Sequence, residues 1–434
     1  MGHTTTLAIA LAIIADLTSA SAIKRAGGYG KAQPIQIPMR QSNHGPAFDV
    51  LYGTPPQKMT MLDDWTWHSN WVYTPHCKDH YSIPDCVLPG QNYFDYQKSS
   101  TFKTTNDADQ TWIGTDYTPG APFTVSFGTD KMCLPNGKKP DGLCQNEIKS
   151  QISNLAFSFP YVEDIGGIIG SAPVLKGLDS TYQGTLPQLI QKANLDPILG
   201  WHMCASLKSK NLCQDQDFLS IYGGTNTELY NQDKMQYHDI VVSKCINAGN
   251  LKLTPARDNY WSASWTGFWI GDQKIDLATP TTAQPDPPDP SCGSIDPIAI
   301  FDEGGFGRGA PIPLNAFNTL TSVTKATVIN ATSAVPLNNG KQGLWSVDCG
   351  SVDKLPNLVY ELSGKQKIVV EPRMYIDKDN VVKGKCLLNA RTWDRATAGA
   401  QTFFGVTVLQ RSYLKFDFDA LKVGVAPVKQ EHCR

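Results

Sequence analysis

Two aspartates in matching surroundings are the residues of this chain best placed to do chemistry. Asp64 lies in Met61–Trp67, read MLDDWTW, and Asp302 lies in Ala299–Gly305, read AIFDEGG. Each ends an apolar, strand-like run. Far downstream of each come two apolar residues and a glycine: Ile168-Ile169-Gly170, then Phe403-Phe404-Gly405. The repeated unit implies two related lobes, each delivering one carboxylate to a shared site. Two carboxylates at close range cannot both ionise, so they share a proton. One can then take a proton while the other gives one, which is acid–base chemistry. No cofactor and no metal is expected for it. Asp63 is a rival for the role of Asp64, but strand alternation turns it to the opposite face.

Such a pair needs a rigid scaffold on both sides. The chain has 434 residues, 41% apolar and 18% charged, enough for two lobes with their own cores. With Gly 36, Pro 29 and few charges, composition favours a turn-rich β architecture over helical bundles. Strand signals recur at Phe48–Tyr52, Lys58–Leu62, Phe123–Phe127, Leu219–Tyr222, Lys367–Val370 and Tyr413–Phe416, with turn residues between them. That pattern predicts an all-β sandwich or barrel. Helices are expected at Thr185–Ala193, where Leu186, Leu189 and Ile190 share a face, and at Leu314–Val323. The lobe junction is expected near Gln236–Cys245, giving lobes of residues 36–240 and 241–434. Thr279–Ser291, read TPTTAQPDPPDPS, reads as a Pro-rich surface loop.

The N-terminus carries the apolar run Leu7–Ile14 and then Ala20-Ser21-Ala22, which predicts a signal peptide over residues 1–22 and export. Residues 23–35 read as a short flexible segment, with Lys24-Arg25 either a processing site or simply a charged end. No later run is long enough to span a bilayer, and the end at Arg434 has no apolar tail, so no membrane anchor is expected. The net charge of −2 gives no electrostatic case for nucleic acid. Eleven cysteines in an exported chain imply disulfides. Local spacing suggests Cys77–Cys86, Cys133–Cys144 and Cys204–Cys213, with Cys349 and Cys386 able to close a larger loop. Cys245, Cys292 and Cys433 remain, so one thiol is left over or bonded elsewhere. Asn330-Ala331-Thr332 is a glycosylation sequon. His76, Cys77, Asp79 and His80 have metal-ligand spacing but read better as a surface loop.

Longer stretches carry a family resemblance. Phe48–Gln57, read FDVLYGTPPQ, resembles the first strand and turn of the pepsin-like aspartic peptidases, and counting on from it without a gap puts Asp64 on their first catalytic aspartate. Trp71-Val72 then falls on the family's Trp-Val, and Cys77–Cys86 on its first disulfide loop. Further similar segments are Leu219–Gly224 (LSIYGG), Asn259-Tyr260-Trp261, Trp345–Cys349 (WSVDC), Leu355-Pro356, and Tyr413–Val428 (YLKFDFDALKVGVAPV). The resemblance runs from Phe48 to Val428. It implies an all-β bilobal fold with pseudo-twofold lobes, an interlobe cleft that takes a polypeptide, and a hairpin flap. It implies catalytic Asp64 and Asp302, with Tyr117 as the flap tyrosine, Trp71 as its hydrogen-bond partner, and Gly304 beside the second carboxylate. A monomer is expected.

The catalytic loops depart from the family's Asp-Thr-Gly followed by Ser or Thr. Trp65 and Glu303 stand where threonines clasp the two loops together, Thr66 replaces the first glycine, and Trp67 and Gly305 replace the following hydroxyls. A tryptophan cannot copy a threonine's hydrogen bonds, and Glu303 adds a third carboxylate that should raise the pKa values of the group. Thr66 lacks a glycine's access to positive φ, should the loop need it. The segment before Ile35 is also too short to block a cleft as family prosegments do. Two functions follow: a secreted aspartic endopeptidase with activity weakened by these changes, or a non-catalytic extracellular binding or inhibitor module on the same fold. The tryptophans Trp65, Trp67 and Trp71 are expected to line or underlie the cleft.

Overall fold

The computed structural model describes residues 32–42, 45–67, 69–76, 90, 92–105, 110–113, 122–153, 165–173, 184–204, 213, 215–242, 245, 259–277, 296–303, 309–330, 344–382, 384–393 and 401–429. Strands dominate. Among the described residues the largest sheet has 14 strands and draws on both halves of the chain. Within it, Ile198–Met203 lies between Phe218–Tyr222 and Ser412–Asp417, antiparallel to both. Ile35–Gln41 continues it by pairing with Phe218–Tyr222, and Lys422–Pro427 by pairing with Ser412–Asp417. A six-stranded sheet belongs to the second half, built around Ser262–Ile270, Ile298–Phe301 and Leu358–Leu362. This is the all-β, bilobal architecture that the sequence pattern implied.

The two halves repeat one device. Gln57–Asp64 runs parallel to Gly167–Gly170, with Asp64 opposite Gly170. Ile298–Phe301 runs parallel to Gln401–Phe404 in the same way, with Phe301 opposite Phe404. A second parallel pair follows in each half: Asn70–Tyr73 with Lys139–Ser153, and Ala310–Pro313 with Ala390–Trp393. Parallel neighbours need long crossovers, so the aspartate and its supporting apolar pair are distant in sequence and adjacent in space.

Every strand expected from the sequence lies within an observed one, from Pro46–Tyr52 to Ser412–Asp417. The helix at Thr185–Ala193 forms as the spacing predicted, with Leu186 and Leu189 buried and Asn194 ending it in a left-handed conformation. Its Gln188 side chain clips it to the neighbouring strand, accepting from the Lys149 amide at 2.7 Å and donating to the Lys149 carbonyl at 2.9 Å. The segment expected at Leu314–Val323 divides into a 3₁₀ turn, Leu314–Ala316, and an α-helix, Phe317–Thr324.

Cys133–Cys144, Cys204–Cys213 and Cys349–Cys386 are bonded, as their spacing suggested. Cys245 is also in a disulfide. The signal segment, Lys24-Arg25, the Cys77–Cys86 pair, Thr279–Ser291 and most of the Asn330-Ala331-Thr332 sequon lie outside the described residues. Among the described residues, no helix is long and apolar enough to cross a membrane.

Candidate active site

Asp64 ends its strand where the chain turns back on itself. The strand Gly167–Gly170 threads between Gln57–Asp64 and Asn70–Tyr73, parallel to one and antiparallel to the other. Hydrogen bonds sew the turn shut: Gly170 N to Ser69 O at 3.1 Å, Ser171 N to Asp64 O at 2.8 Å, and Ala172 N to Trp67 O at 3.0 Å. Gly170 is required for space, since a Cβ there would lie 2.3 Å from Ser69 O and 2.5 Å from Trp67 O. In the second half the Asp302 amide donates to Phe404 O at 3.0 Å. Both aspartates are therefore anchored through their backbones to the apolar pairs identified downstream.

The Asp64 carboxyl is held by three donors on one oxygen. Thr66 N reaches Oδ1 at 2.8 Å, Thr66 Oγ1 at 2.7 Å and Trp67 N at 3.1 Å. Thr66 thus donates through its amide, as the expected glycine would, and adds a hydroxyl. It does so without a positive φ, so the lack of glycine's freedom carries no cost here.

Trp65 turns away from these groups. Its indole is fully buried against Trp201, with ring centroids 4.8 Å apart and nearly perpendicular planes, and against Phe416 at 4.9 Å. Each such aromatic pair stabilises by roughly 0.5–1.5 kcal/mol beyond its burial. Trp261 continues the cluster onto Phe416 and Phe418 and donates its indole N–H to Ser171 O at 2.7 Å. Second-half residues thereby brace the turn beneath Asp64. Trp67 packs on Trp71 at 5.3 Å, and Trp71 is buried. Tyr117 and Gly304 lie outside the described residues.

Glu303 is buried and reaches across to the first loop. Its carboxyl oxygens accept from the Trp65 amide at 3.0 and 3.3 Å, joining residues far apart in the chain. Asp63 faces the interior with Met59 and Met61, opposite to Asp64. It accepts from Ser220 Oγ at 3.1 Å, which makes it a buried companion to the site.

The charges of Asp63, Asp64 and Asp302 all act on Glu303, so four carboxyls share this region, three of them buried and Asp64 half-buried. Burial raises the pKa of Asp64, opposed by the Thr66 hydroxyl and the Thr66 and Trp67 amides. Burial lifts Asp63 to about 7, opposed by Ser220 and, from beyond hydrogen-bond distance, by the Trp65 indole. Glu303 is pushed well above the usual carboxylate range by burial first, then by the charges of Asp63, Asp64 and Asp302. The effect of the added carboxylate falls on Glu303 itself; the shifts of Asp63 and Asp64 come from burial, nearby donors and, for Asp63, the charge of Asp64. One group was not foreseen: Arg391 is buried, donates to the Phe403 carbonyl, and has the Asp302 charge among its neighbours. Burial pushes it down to about 10, opposed by Asp302 and Tyr360, so it stays a cation in acid and at neutral pH. The signal for it was an arginine inside the strand-like run Ala390–Trp393.

Two groups bear on metal binding. His76 pairs with Asp95 at 2.8 Å and packs on Tyr96, while Cys77, Asp79 and His80 lie outside the described residues. His202, Cys204 and Cys213 bring their ligand atoms within 4.8 Å of one another, but the two sulfurs are bonded together and offer no thiolate.

With fold and site in hand, the chain can be set beside known proteins. A family model described as eukaryotic aspartyl protease matches residues 314–428. The secreted aspartic protease LUC8 of a Fusarium species is 31% identical over 449 residues, covering 97% of this chain and 98% of that protein. Secreted aspartic protease FUS4 of Gibberella moniliformis is 31% identical over 91% of each chain, and the aspartic protease-like protein pynH of Aspergillus niger 29% over 95% and 97%. The chain belongs to the pepsin-like aspartic protease family.

Proposed function

We propose that the protein is a secreted aspartic endopeptidase in which Asp64 and Asp302 act as one dyad, and that it works best in acid. The observation that carries this is the treatment of Asp64: one carboxyl oxygen accepts three short hydrogen bonds from Thr66 and Trp67, in a loop braced from the second half of the chain. Catalytic carboxylates need that fixing, because positions must hold to fractions of an ångström. The departures from Asp-Thr-Gly are read as substitutions with replacements. Trp65 exchanges a clasp for an aromatic anchor, Thr66 supplies the amide and a hydroxyl, and Glu303 supplies an interlobe acceptor. The activity is accordingly not abolished by them, though it can be lower than that of family members with the usual triplets.

In this reading the dyad shares a single proton and titrates as a unit. The ionised member draws a proton from a water poised between the two. That water attacks the peptide carbonyl, and the protonated member gives its proton to the developing oxyanion. Collapse of the tetrahedral intermediate releases the amine with a proton returned through the dyad. Gly304 leaves room for the water, Tyr117 sits on a flap over the cleft, and Trp71 supports that tyrosine. Substrates are extended polypeptides with apolar residues flanking the bond. The lobes divide near residue 240, residues 1–22 are removed on export, and the sequon at Asn330 is glycosylated. Export is supported by the names of the relatives, two of them called secreted.

The test is cleavage of a mixed peptide library between pH 3 and 6 by wild type, D64N and D302N. Wild type should cut, and each variant should lose roughly 10²–10⁴-fold in rate, the range for removing a general acid or base. Equal cutting by wild type and D302N would exclude the dyad. An inert wild type would favour the non-catalytic binding module.

A further inference from the structure

Glu303 is the buried acid that a two-carboxylate reaction does not call for. Its side chain is 2% exposed and receives the Trp65 amide on both oxygens. Among the described residues, the titratable groups that act on it come from two strands and its own loop. Asp63 and Asp64 come from the Gln57–Asp64 strand, Asp302 from its own loop and Tyr222 from the Phe218–Tyr222 strand. The buried cation Arg391 has its charge directed to Asp302. Tyr222 stays neutral, since burial pushes its phenol well above the ordinary range. No described cation acts on Glu303, and three carboxylates do.

The form of Glu303 that suits this place is the neutral acid. An ionised carboxylate only accepts hydrogen bonds, whereas a protonated carboxyl keeps an acceptor oxygen and gains an O–H donor. That donor–acceptor pair is what a hydroxyl would offer at the same position. A neutral Glu303 accepts from Trp65 N and can donate toward a neighbouring carboxylate. An ionised one brings a further negative charge into a buried carboxylate group, which is strongly disfavoured without a partner.

We propose that Glu303 is a positioning residue whose carboxyl ties the Asp302 loop to the Asp64 loop by accepting from the Trp65 amide, and that the site is assembled while Glu303 is neutral and loosened in its ionised form, not because the Trp65 bond weakens but because the added charge repels Asp63, Asp64 and Asp302. The effect on Asp64 is indirect: Trp65 sits between Asp64 and Thr66, and moving its amide moves the donors that fix the Asp64 carboxyl. Such a device would confine activity to acid. The activity arm of this inference rests on the peptidase reading; the stability arm does not.

The experiment compares wild type, E303Q and E303A, reading thermal unfolding and peptide cleavage from pH 3 to 8. Glutamine keeps the shape and the acceptor and cannot ionise. Wild-type Tm should fall as pH rises, E303Q should fall less, and the gap between them should widen with pH. E303A should have the lowest Tm in acid. In cleavage, E303Q should extend the alkaline limb of kcat to higher pH with KM unchanged. E303A should lose kcat by roughly 10²-fold, the scale of a small misplacement of reacting groups. Superimposable Tm profiles for wild type and E303Q overturn the proposal, and this comparison stands even if E303A does not fold. A wild type that never cuts peptides, with the Tm differences intact, would fail the peptidase reading and leave the clasp standing. Dyad-dependent cutting with E303Q indistinguishable from wild type in both readouts would do the reverse.

Discussion

Thr66 shows how one residue can change chemistry without changing architecture. Its hydroxyl donates to Asp64 Oδ1 and therefore favours the ionised carboxyl. Removing it in T66V leaves the proton on Asp64 to higher pH, so the acid limb of kcat/KM should move upward. On that limb activity should drop on the order of tenfold, as for losing one hydrogen bond to a charged group. T66S, which keeps the hydroxyl, should follow wild type; a T66V profile that does not move would remove this role. At this scale the sequence located both aspartates and the odd carboxylate beside them. It did not disclose where Trp65 goes, because that depends on Trp201 and Phe416, which come from distant strands. Arg391 stood out only as an arginine inside a strand-like run, because its relation to Asp302 exists only once the chain is folded.

At the scale of elements, the parallel pairing of each aspartate strand with an apolar-apolar-Gly strand is the unit that builds the site. It was legible because its parts are local patterns: an apolar run ending in Asp, and a short apolar pair ending in Gly. The tightness of the crossing was not legible, since Gly170 has no unusual φ and is needed only for the approach of Ser69 and Trp67. Adding one methyl in G170A should destabilise by about 1–3 kcal/mol, the usual cost of overpacking. Because the intruding atom meets backbone on the Asp64 loop, peptide cleavage should fall further than stability alone explains. A shift in urea midpoint accompanied by normal kcat would show that the loop absorbs the change. The split of Leu314–Thr324 into a 3₁₀ turn and a helix was likewise invisible to apolar spacing, which cannot separate the two helix types over so few residues.

For the whole molecule, the buried carboxyls decide how stability responds to pH. A group whose folded pKa lies above its unfolded value stabilises fully in acid and loses that contribution as pH rises through the folded value. Asp63, lifted to about 7, works in this sense, as do Asp64 and Glu303. Resistance to urea should therefore be greatest near pH 4 and decline toward pH 8. D63N, which stays neutral and can still accept from Ser220, should flatten the decline between those limits. Parallel curves for D63N and wild type would show that Asp63 takes no part in it.

The pairing of Ile198–Met203 with Ser412–Asp417 has a further effect on how the chain is made. A ribosome delivers the first of these strands long before the second. Until the last stretch emerges, the nascent chain holds Ile198–Met203 as an open sheet edge, and Trp65 lacks the ring of Phe416 that covers it. Such edges and apolar faces are sticky while they wait. The molecule can close only after translation is nearly finished, so its biogenesis should lean on chaperones more than its final packing would suggest.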